Sequence, residues 1–148
     1  MSSTLIHNGT LIDGRGGKPV PNAAVLIEAG RVVAVGEANS LSLEDDQDGK
    51  LDARGGFILP GLIDTHVHLT FEDFNLARAM ATPFSLRFYN SVNYMRRTLD
   101  AGITSVRDAG GADAGMKQAV ETGVVVGPRM QISTAVLTIT GGHVDFWM

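Results

Sequence analysis

Two histidines one residue apart are the part of the sequence best suited to chemistry. His66 and His68 stand at the end of the run FILPGLIDTHVHL, which predicts a β-strand. Alternate residues of a strand point to one face, so both imidazoles should leave the same face and Val67 the opposite one. Two neutral imidazoles can bind one zinc ion if the fold supplies further ligands. The alternative is a pair of partly buried histidines bonded to backbone, because such triplets also arise by chance.

Two aspartates are candidates for supporting this pair. Asp64 precedes His66 by two residues, so it should share that face and could accept a bond from a ligand imidazole, or instead bond to nearby backbone or water. Asp108 ends the run ITSVRD, and the two glycines that follow allow the loop to approach a ligand closely. We assign Asp108 a structural role behind the metal ligands, and the alternative is a helix or turn cap.

The elements that must position these residues change character at Phe57. Before it, short apolar runs are separated by Gly, Asn and Pro, which predicts a small antiparallel sheet. The clearest hairpin lies in 24–35, where AVLIE and RVVAV flank the turn residues Ala29 and Gly30. The acidic segment 41–50 should cross the surface before the last strand of that sheet.

After Phe57 the pattern alternates between strands and helices. Three runs predict strands: FILPGLIDTHVHL, ITSVRD and PRMQISTAV. The first intervening helix should begin with Thr82 as N-cap and Pro83 at its first position, and Gly102 should end it. Gly123 should end the second helix, in ADAGMKQAVETG. Right-handed crossovers turn this order into three adjacent parallel strands, so the fold class is α/β.

Composition excludes several classes of function. Asp and Glu (16) outnumber Lys and Arg (12), and no basic run could neutralise successive phosphates, which argues against a nucleic-acid partner. With no cysteine, disulfides and thiolate-bound zinc are excluded, leaving His, Asp, Glu and modified Lys as ligands. No apolar stretch approaches the roughly 18 residues of a membrane helix, and no leader is recognisable, so we expect a cytoplasmic protein without a membrane partner.

Three stretches carry a resemblance to a known family. GGFILPGLIDTHVHL resembles the first-strand signature of the amidohydrolase superfamily, in which His-x-His ends barrel strand 1. AGITSVRDAGG and GPRMQISTAVLTITGGHVD resemble the branch of imidazolonepropionase-like enzymes and of dipeptidases and carboxypeptidases acting on Xaa-Pro, Xaa-Arg or N-acyl amino acids. The N-terminal hairpins resemble the small β-sandwich of this superfamily.

The resemblance implies a two-part fold. Residues 1–57 would be the N-terminal part of a β-sandwich, and residues 58–148 the first three β/α units of a TIM-like (β/α)8 barrel. Because such a barrel usually needs about 250 residues, the chain should be a truncated piece of it. The alternative is a small open α/β protein with a short apolar tail.

The resemblance also implies a metal-dependent hydrolase of amide or peptide C–N bonds, using metal-activated water. His66 and His68 would bind one divalent metal, with zinc the default ion and one or two ions in the complete enzyme. The other ligands and the catalytic aspartate would lie beyond Met148, so this chain would contain no catalytic residue and be inactive alone. His143, in the Gly-Gly-His motif, would bind substrate, and an exposed loop histidine is the alternative.

The expected substrate is a small or peptide-like molecule, for a dipeptidase, a carboxypeptidase or an N-acyl amino acid hydrolase. A cyclic-amide hydrolase resembling imidazolonepropionase stays open as an alternative. A non-catalytic assembly or interaction fragment is the rival from another class. Exposed barrel edges would in each case favour a homo-oligomer or self-association.

Overall fold

The computed structural model describes residues 3–43, 49–71, 75–142 and 144–145. The chain divides into two compact units, residues 1–60 and 61–148. The first unit contains β-strands and one short 3-10 helix, and the second contains parallel strands alternating with α-helices. Among the described residues, no helix is both long and apolar enough to cross a membrane.

One five-stranded sheet forms the first unit, with β3-β2-β1-β4 as its order and β5 also paired with β1. Its elements are β1 (Ser3–Leu11), β2 (Val20–Glu28), β3 (Arg31–Glu37), a 3-10 helix (Ala38–Ser40), β4 (Gly49–Asp52) and β5 (Phe57–Ile58). The predicted antiparallel sheet is wrong for β4 and β5, which run parallel to β1. Both reach β1 by a crossover, whereas a hairpin would have reversed the chain. A second sheet that would complete a sandwich stays a prediction.

The predicted hairpin is confirmed between β2 and β3. Glu28 pairs with Arg31, and the two residues between them have φ of 48° (Ala29) and 74° (Gly30). Positive φ at both central positions matches the right-handed twist of the strands and makes a tight two-residue turn. Of the acidic segment 41–50, residues 44–48 lie outside the described residues.

The second unit confirms the predicted order of parallel strands and helices. Its sheet has the order β6-β7-β8, with all neighbours parallel. The elements are β6 (Leu62–Val67), α1 (Leu76–Ala81), α2 (Phe84–Asp100), β7 (Ile103–Asp108), α3 (Ala114–Glu121) and β8 (Arg129–Ile132). The mixed α/β fold class is therefore confirmed.

The run FILPGLIDTHVHL is two strands, not the one that we predicted. Phe57–Ile58 pairs with β1 in the first unit, and Leu62–Val67 pairs with β7 in the second. Pro60 lies between them and has no N–H to donate to a ladder, so the strand is interrupted there. The third predicted strand also ends early, at Ile132, and Thr134 then adopts a φ of 64°.

The predicted start of the long helix is wrong by one residue, because the N-cap is Pro83 and not Thr82. Thr82 closes α1, which we did not predict, and its hydroxyl donates to the carbonyl of Arg78 at 2.8 Å. Pro83 is the N-cap of α2 and has an extended ψ of 139°. Proline is tolerated at this end of a helix because its missing N–H would have no partner within the helix. The predicted ends hold: Gly102 and Gly123 have φ of 82° and 76°.

Helices α2 and α3 pack on the sheet around a small apolar core. Its buried members are Leu69, Met95, Val106, Ala112, Met116 and Met130. Met95 of α2 is only 1% exposed, and Val67 packs against the same cluster. Leu69 and Ala112 belong to the loops after β6 and β7, so the core also anchors the segments at the carboxyl ends of the strands.

Candidate metal centre

His66 and His68 lie together at the carboxyl end of β6. Their ring centroids are 5.3 Å apart, with the ring planes at 73°. His66 is exposed and His68 half-buried, while Val67 between them contacts the core. Two imidazoles on one tetrahedral zinc, with Zn–N of about 2.1 Å, place their centroids roughly 5 Å apart, because each ring centre lies about 1 Å behind its nitrogen. The donor types and their separation fit a divalent metal.

The ring of His68 is fixed by a hydrogen bond from another loop. Its Nδ1 lies 2.8 Å from the backbone oxygen of Gly110, in the loop after β7. A carbonyl oxygen can only accept, so in the neutral ring Nδ1 carries the proton and Nε2 is the unprotonated nitrogen. Phe71 packs edge-on against the same ring, with centroids 5.9 Å apart. This is the form of an imidazole that binds metal through Nε2.

Asp108 is fully buried at the end of β7 and accepts three backbone hydrogen bonds. Its Oδ2 accepts from the N–H of Leu69 at 2.7 Å. Its Oδ1 accepts from Gly110 at 2.9 Å and Ala112 at 3.2 Å. The carboxylate therefore caps its own turn and also ties that turn to the loop that follows His68.

Glycine is required at the two positions after this turn. Gly110 and Gly111 have φ of 149° and 117°, a region that side-chain-bearing residues rarely adopt. A Cβ on Gly110 would overlap Val136 and lie 2.9 Å from its backbone nitrogen. A Cβ on Gly111 would overlap the hydroxyl of Thr70. The loops after all three strands of the second unit meet at these glycines.

Asp64 bonds to the backbone of a candidate ligand. Its Oδ1 accepts from the N–H of His66 at 3.0 Å. Beside it, the Nε of Arg107 donates to the carbonyl of Thr65 at 2.7 Å, which joins β7 to β6. Both bonds restrain the backbone of β6 at residues 65 and 66. The role of Asp64 behind the ligands stays a prediction.

Sequence reasoning missed Gly110 as the partner of His68. The Gly-Gly pair indicated close approach in that loop, but nothing local in the sequence identified what it approaches. His143, the predicted substrate-binding residue, lies outside the described residues. Within the parts of the chain that the structure describes, no group of three or more His, Asp or Glu side chains could hold a metal.

Comparison with known proteins identifies the family. The model of the amidohydrolase family matches residues 57–146. An ochratoxinase from Aspergillus niger is 30% identical over 147 residues, which are 97% of this chain and 30% of that protein. An imidazolonepropionase from Anaeromyxobacter sp. (strain K) is 39% identical over 85 residues, which are 56% of this chain and 19% of that protein.

A solved structure extends this likeness to the fold. A prolidase complexed with N-methylphosphonate-L-proline is 37% identical and superimposes with a TM-score of 0.85, covering 98% of this chain and 35% of that one. The chain therefore spans about a third of the length of these relatives. The family match covers more than half of the chain and includes both histidines and the Asp108 loop. The chain belongs to the amidohydrolase family.

Proposed function

We propose that His66 and His68 are two ligands of one divalent metal ion in a hydrolase of C–N bonds. The observation that carries this proposal is the pairing of the two rings, 5.3 Å apart, with Nδ1 of His68 bonded to Gly110. That bond leaves Nε2 as the unprotonated nitrogen, which is the nitrogen a metal needs. Zinc is the proposed ion because imidazole and carboxylate ligands suit it, and the complete enzyme would hold one or two ions.

When bound, such a metal makes water acidic enough to act near neutral pH and polarises the scissile carbonyl. The residues of this chain hold and orient: His66 and His68 bind, and Gly110 with Asp108 fixes the ring of His68. None of them transfers a proton in this proposal. The proton-transferring group and the remaining ligands would come from a longer chain.

We propose that activity needs a longer chain, because this chain matches only part of the length of its relatives. It spans 30% of the ochratoxinase and 35% of the prolidase, and a catalytic zinc typically needs three protein ligands. We therefore expect the 148-residue chain to be inactive alone and to act as the N-terminal part of a longer enzyme.

Xaa-Pro dipeptides and N-acyl amino acids are the proposed substrates. The likeness to a prolidase bound to a proline phosphonate supports them, and His143 would contact the substrate. The alternative is a cyclic amide, favoured by the 39% identity to an imidazolonepropionase over 85 residues. Self-association is also proposed, since Leu62 and Ile63 are exposed on β6, which is an edge strand of the three-stranded sheet among the described residues.

Hydrolysis assays on the protein from the full reading frame test this function. The metal-loaded protein should hydrolyse Xaa-Pro dipeptides or N-acyl amino acids, with His7→Ala as the matched control for His68→Ala. Outer partners of metal ligands typically contribute about 10- to 100-fold, so loss of a ligand should lower kcat/KM by at least roughly 100-fold. If the protein hydrolysed a cyclic amide such as an imidazolone but neither of the proposed substrates, the cyclic amide would be the substrate class. Equal activity of His68→Ala and His7→Ala would contradict the site.

A further inference from the structure

We propose that Asp108 is a positioning residue that fixes the orientation and tautomer of His68 by holding the backbone of Gly110 in place. The inference deepens the proposed function, and its value for metal binding rests on His68 being a ligand. The contacts that carry it are made by protein atoms alone. They can therefore be tested without any metal or substrate.

Asp108 holds the residues around His68 from two sides. Through Oδ2 it binds the N–H of Leu69, the residue that directly follows His68, at 2.7 Å. Through Oδ1 it binds the N–H of Gly110 at 2.9 Å. Both acceptor oxygens belong to one side chain that is 0% exposed. One buried side chain thus restrains both the backbone beside His68 and the amide next to the carbonyl that its ring contacts.

The Gly110 residue is bonded at both of its polar groups. Its N–H donates to Asp108, and its C=O accepts from Nδ1 of His68 at 2.8 Å. The two groups lie in successive peptide units that meet at the Cα of Gly110, so Asp108 holds the backbone directly beside the carbonyl that His68 contacts. The bond from Asp108 therefore acts on the position of the loop, and it does so from a side chain that is 0% exposed, where water does not compete for the amide.

Packing prevents the glycine loop from moving to a different arrangement. Gly110 lies against Val136, and Gly111 against Thr70, so closely that neither has room for a Cβ. The amide of Gly111 also donates to the carbonyl of Thr134 at 3.3 Å. The Gly110 carbonyl therefore faces His68 in one position, and Asp108 sets that position by its bond to the adjacent amide.

The consequence is a choice between the two neutral forms of the imidazole. With the proton on Nε2, the Nδ1 lone pair would face the carbonyl oxygen at 2.8 Å, and the bond would be lost. A net hydrogen-bond contribution of this kind corresponds to about a tenfold preference for the Nδ1–H form. Asp108 would in this way present Nε2 of His68 as a lone pair before any metal arrives.

Nuclear magnetic resonance on the wild-type, metal-free chain is the first test. Long-range ¹H–¹⁵N correlations at about pH 8.5, where imidazole is neutral, distinguish Nδ1–H from Nε2–H rings. The Nδ1–H form of His68 should be about tenfold more populated than the Nε2–H form. A coupling should also be seen across the hydrogen bond to the carbonyl carbon of Gly110. Exposed His66 provides the internal comparison. An Nε2–H or evenly mixed His68 would overturn the proposal even if no variant were made.

Asp108→Ala tests the positioning role itself, because it removes all three acceptor bonds. Asp113→Ala is the matched control, since Asp113 also caps a backbone amide, that of Met116, but does so at the exposed start of α3. The Nδ1–H excess of His68 should fall to below about threefold in Asp108→Ala and stay as in wild type in Asp113→Ala. A folded Asp108→Ala chain with the wild-type ratio would show a purely structural role and overturn the proposal.

Zinc titration of the same samples separates this inference from the proposed function. Loss of a residue behind a metal ligand typically weakens binding by about 10- to 100-fold, and this is expected for Asp108→Ala relative to Asp113→Ala. A wild-type chain with the Nδ1–H ring and no zinc binding would refute the metal site while leaving the positioning of His68 by Asp108 intact. Equal zinc affinity in the two variants would refute the positioning role toward metal.

Discussion

Replacing Asp108 by Asn should destabilise the second unit by an amount that the hydrogen bonds allow us to estimate. The carboxylate is 0% exposed and accepts from Leu69, Gly110 and Ala112. An amide has one acceptor oxygen, so its NH₂ group must face at least one of these N–H donors. A buried donor left unpaired costs about 1–3 kcal/mol, which gives a loss of about 2 kcal/mol in the free energy of unfolding.

Urea unfolding followed by circular dichroism at 222 nm measures this loss. All the α-helices of the described residues lie in the second unit, so the helical signal reports on that unit. With a urea m-value of about 2 kcal/mol/M, the midpoint should fall by about 1 M in Asp108→Asn. Asp113→Asn makes the same charge change at an exposed N-cap, where Asn caps as well as Asp, so its midpoint should move by less than about 0.25 M. Equal midpoint shifts in the two variants would contradict the stabilising role of the buried Asp108 hydrogen bonds.

Three further substitutions have expected outcomes. Met95→Ala empties a core position that is 1% exposed, so urea unfolding should show a loss of about 2–5 kcal/mol. Gly110→Ala adds a Cβ at a φ of 149°, and strain of about 1–3 kcal/mol should lower the melting temperature and disrupt the Nδ1–H signal of the neighbouring imidazole. The Arg54 N–H and the Asn8 amide hold the pKa of Asp52 below its ordinary value, so Asn8→Ala should raise that pKa in a ¹³C titration.

A control variant tests the Met95 prediction, and the direction of the pH dependence tests the Asp52 prediction. Tyr89→Ala removes a ring that is 72% exposed on the same helix as Met95, and an equal loss there would contradict the placement of the core. For Asp52, the depressed pKa means that its stabilisation is present above the ordinary value and is lost as the pH falls through the folded value. In Asn8→Ala that loss should be smaller and should be complete at a higher pH, and an unchanged pKa would contradict the contact.

Local sequence signals were sufficient where a structure depends on residues close together in the chain. The Ala29–Gly30 turn and the ends of the helices at Gly102 and Gly123 follow from the need for positive φ. The run ITSVRD was predicted with its observed bounds, because Gly102 directly precedes it and Gly110 follows within two residues of its end. These predictions needed no knowledge of what the elements pack against.

The sequence was insufficient where distant segments compete or meet. The parallel pairing of β4 with β1 depends on a crossover, and the continuous apolar run hid a change of sheet at Pro60. His68 and Gly110 are 42 residues apart, so their bond arises only when β6 and β7 lie side by side. The histidine pair was recognisable from its spacing, but what fixes its geometry was not.

Zinc binding by the purified chain shows whether His66 and His68 form a metal site. Equilibrium dialysis followed by elemental analysis should compare wild type, the His66→Ala, His68→Ala double variant, and His7→Ala as a control outside the pair. Circular dichroism should first show equal helix content in all three. We expect equal zinc in wild type and His7→Ala, and none above background in the double variant, because loss of both imidazoles removes both ligands. Equal zinc in all three proteins would contradict the metal site.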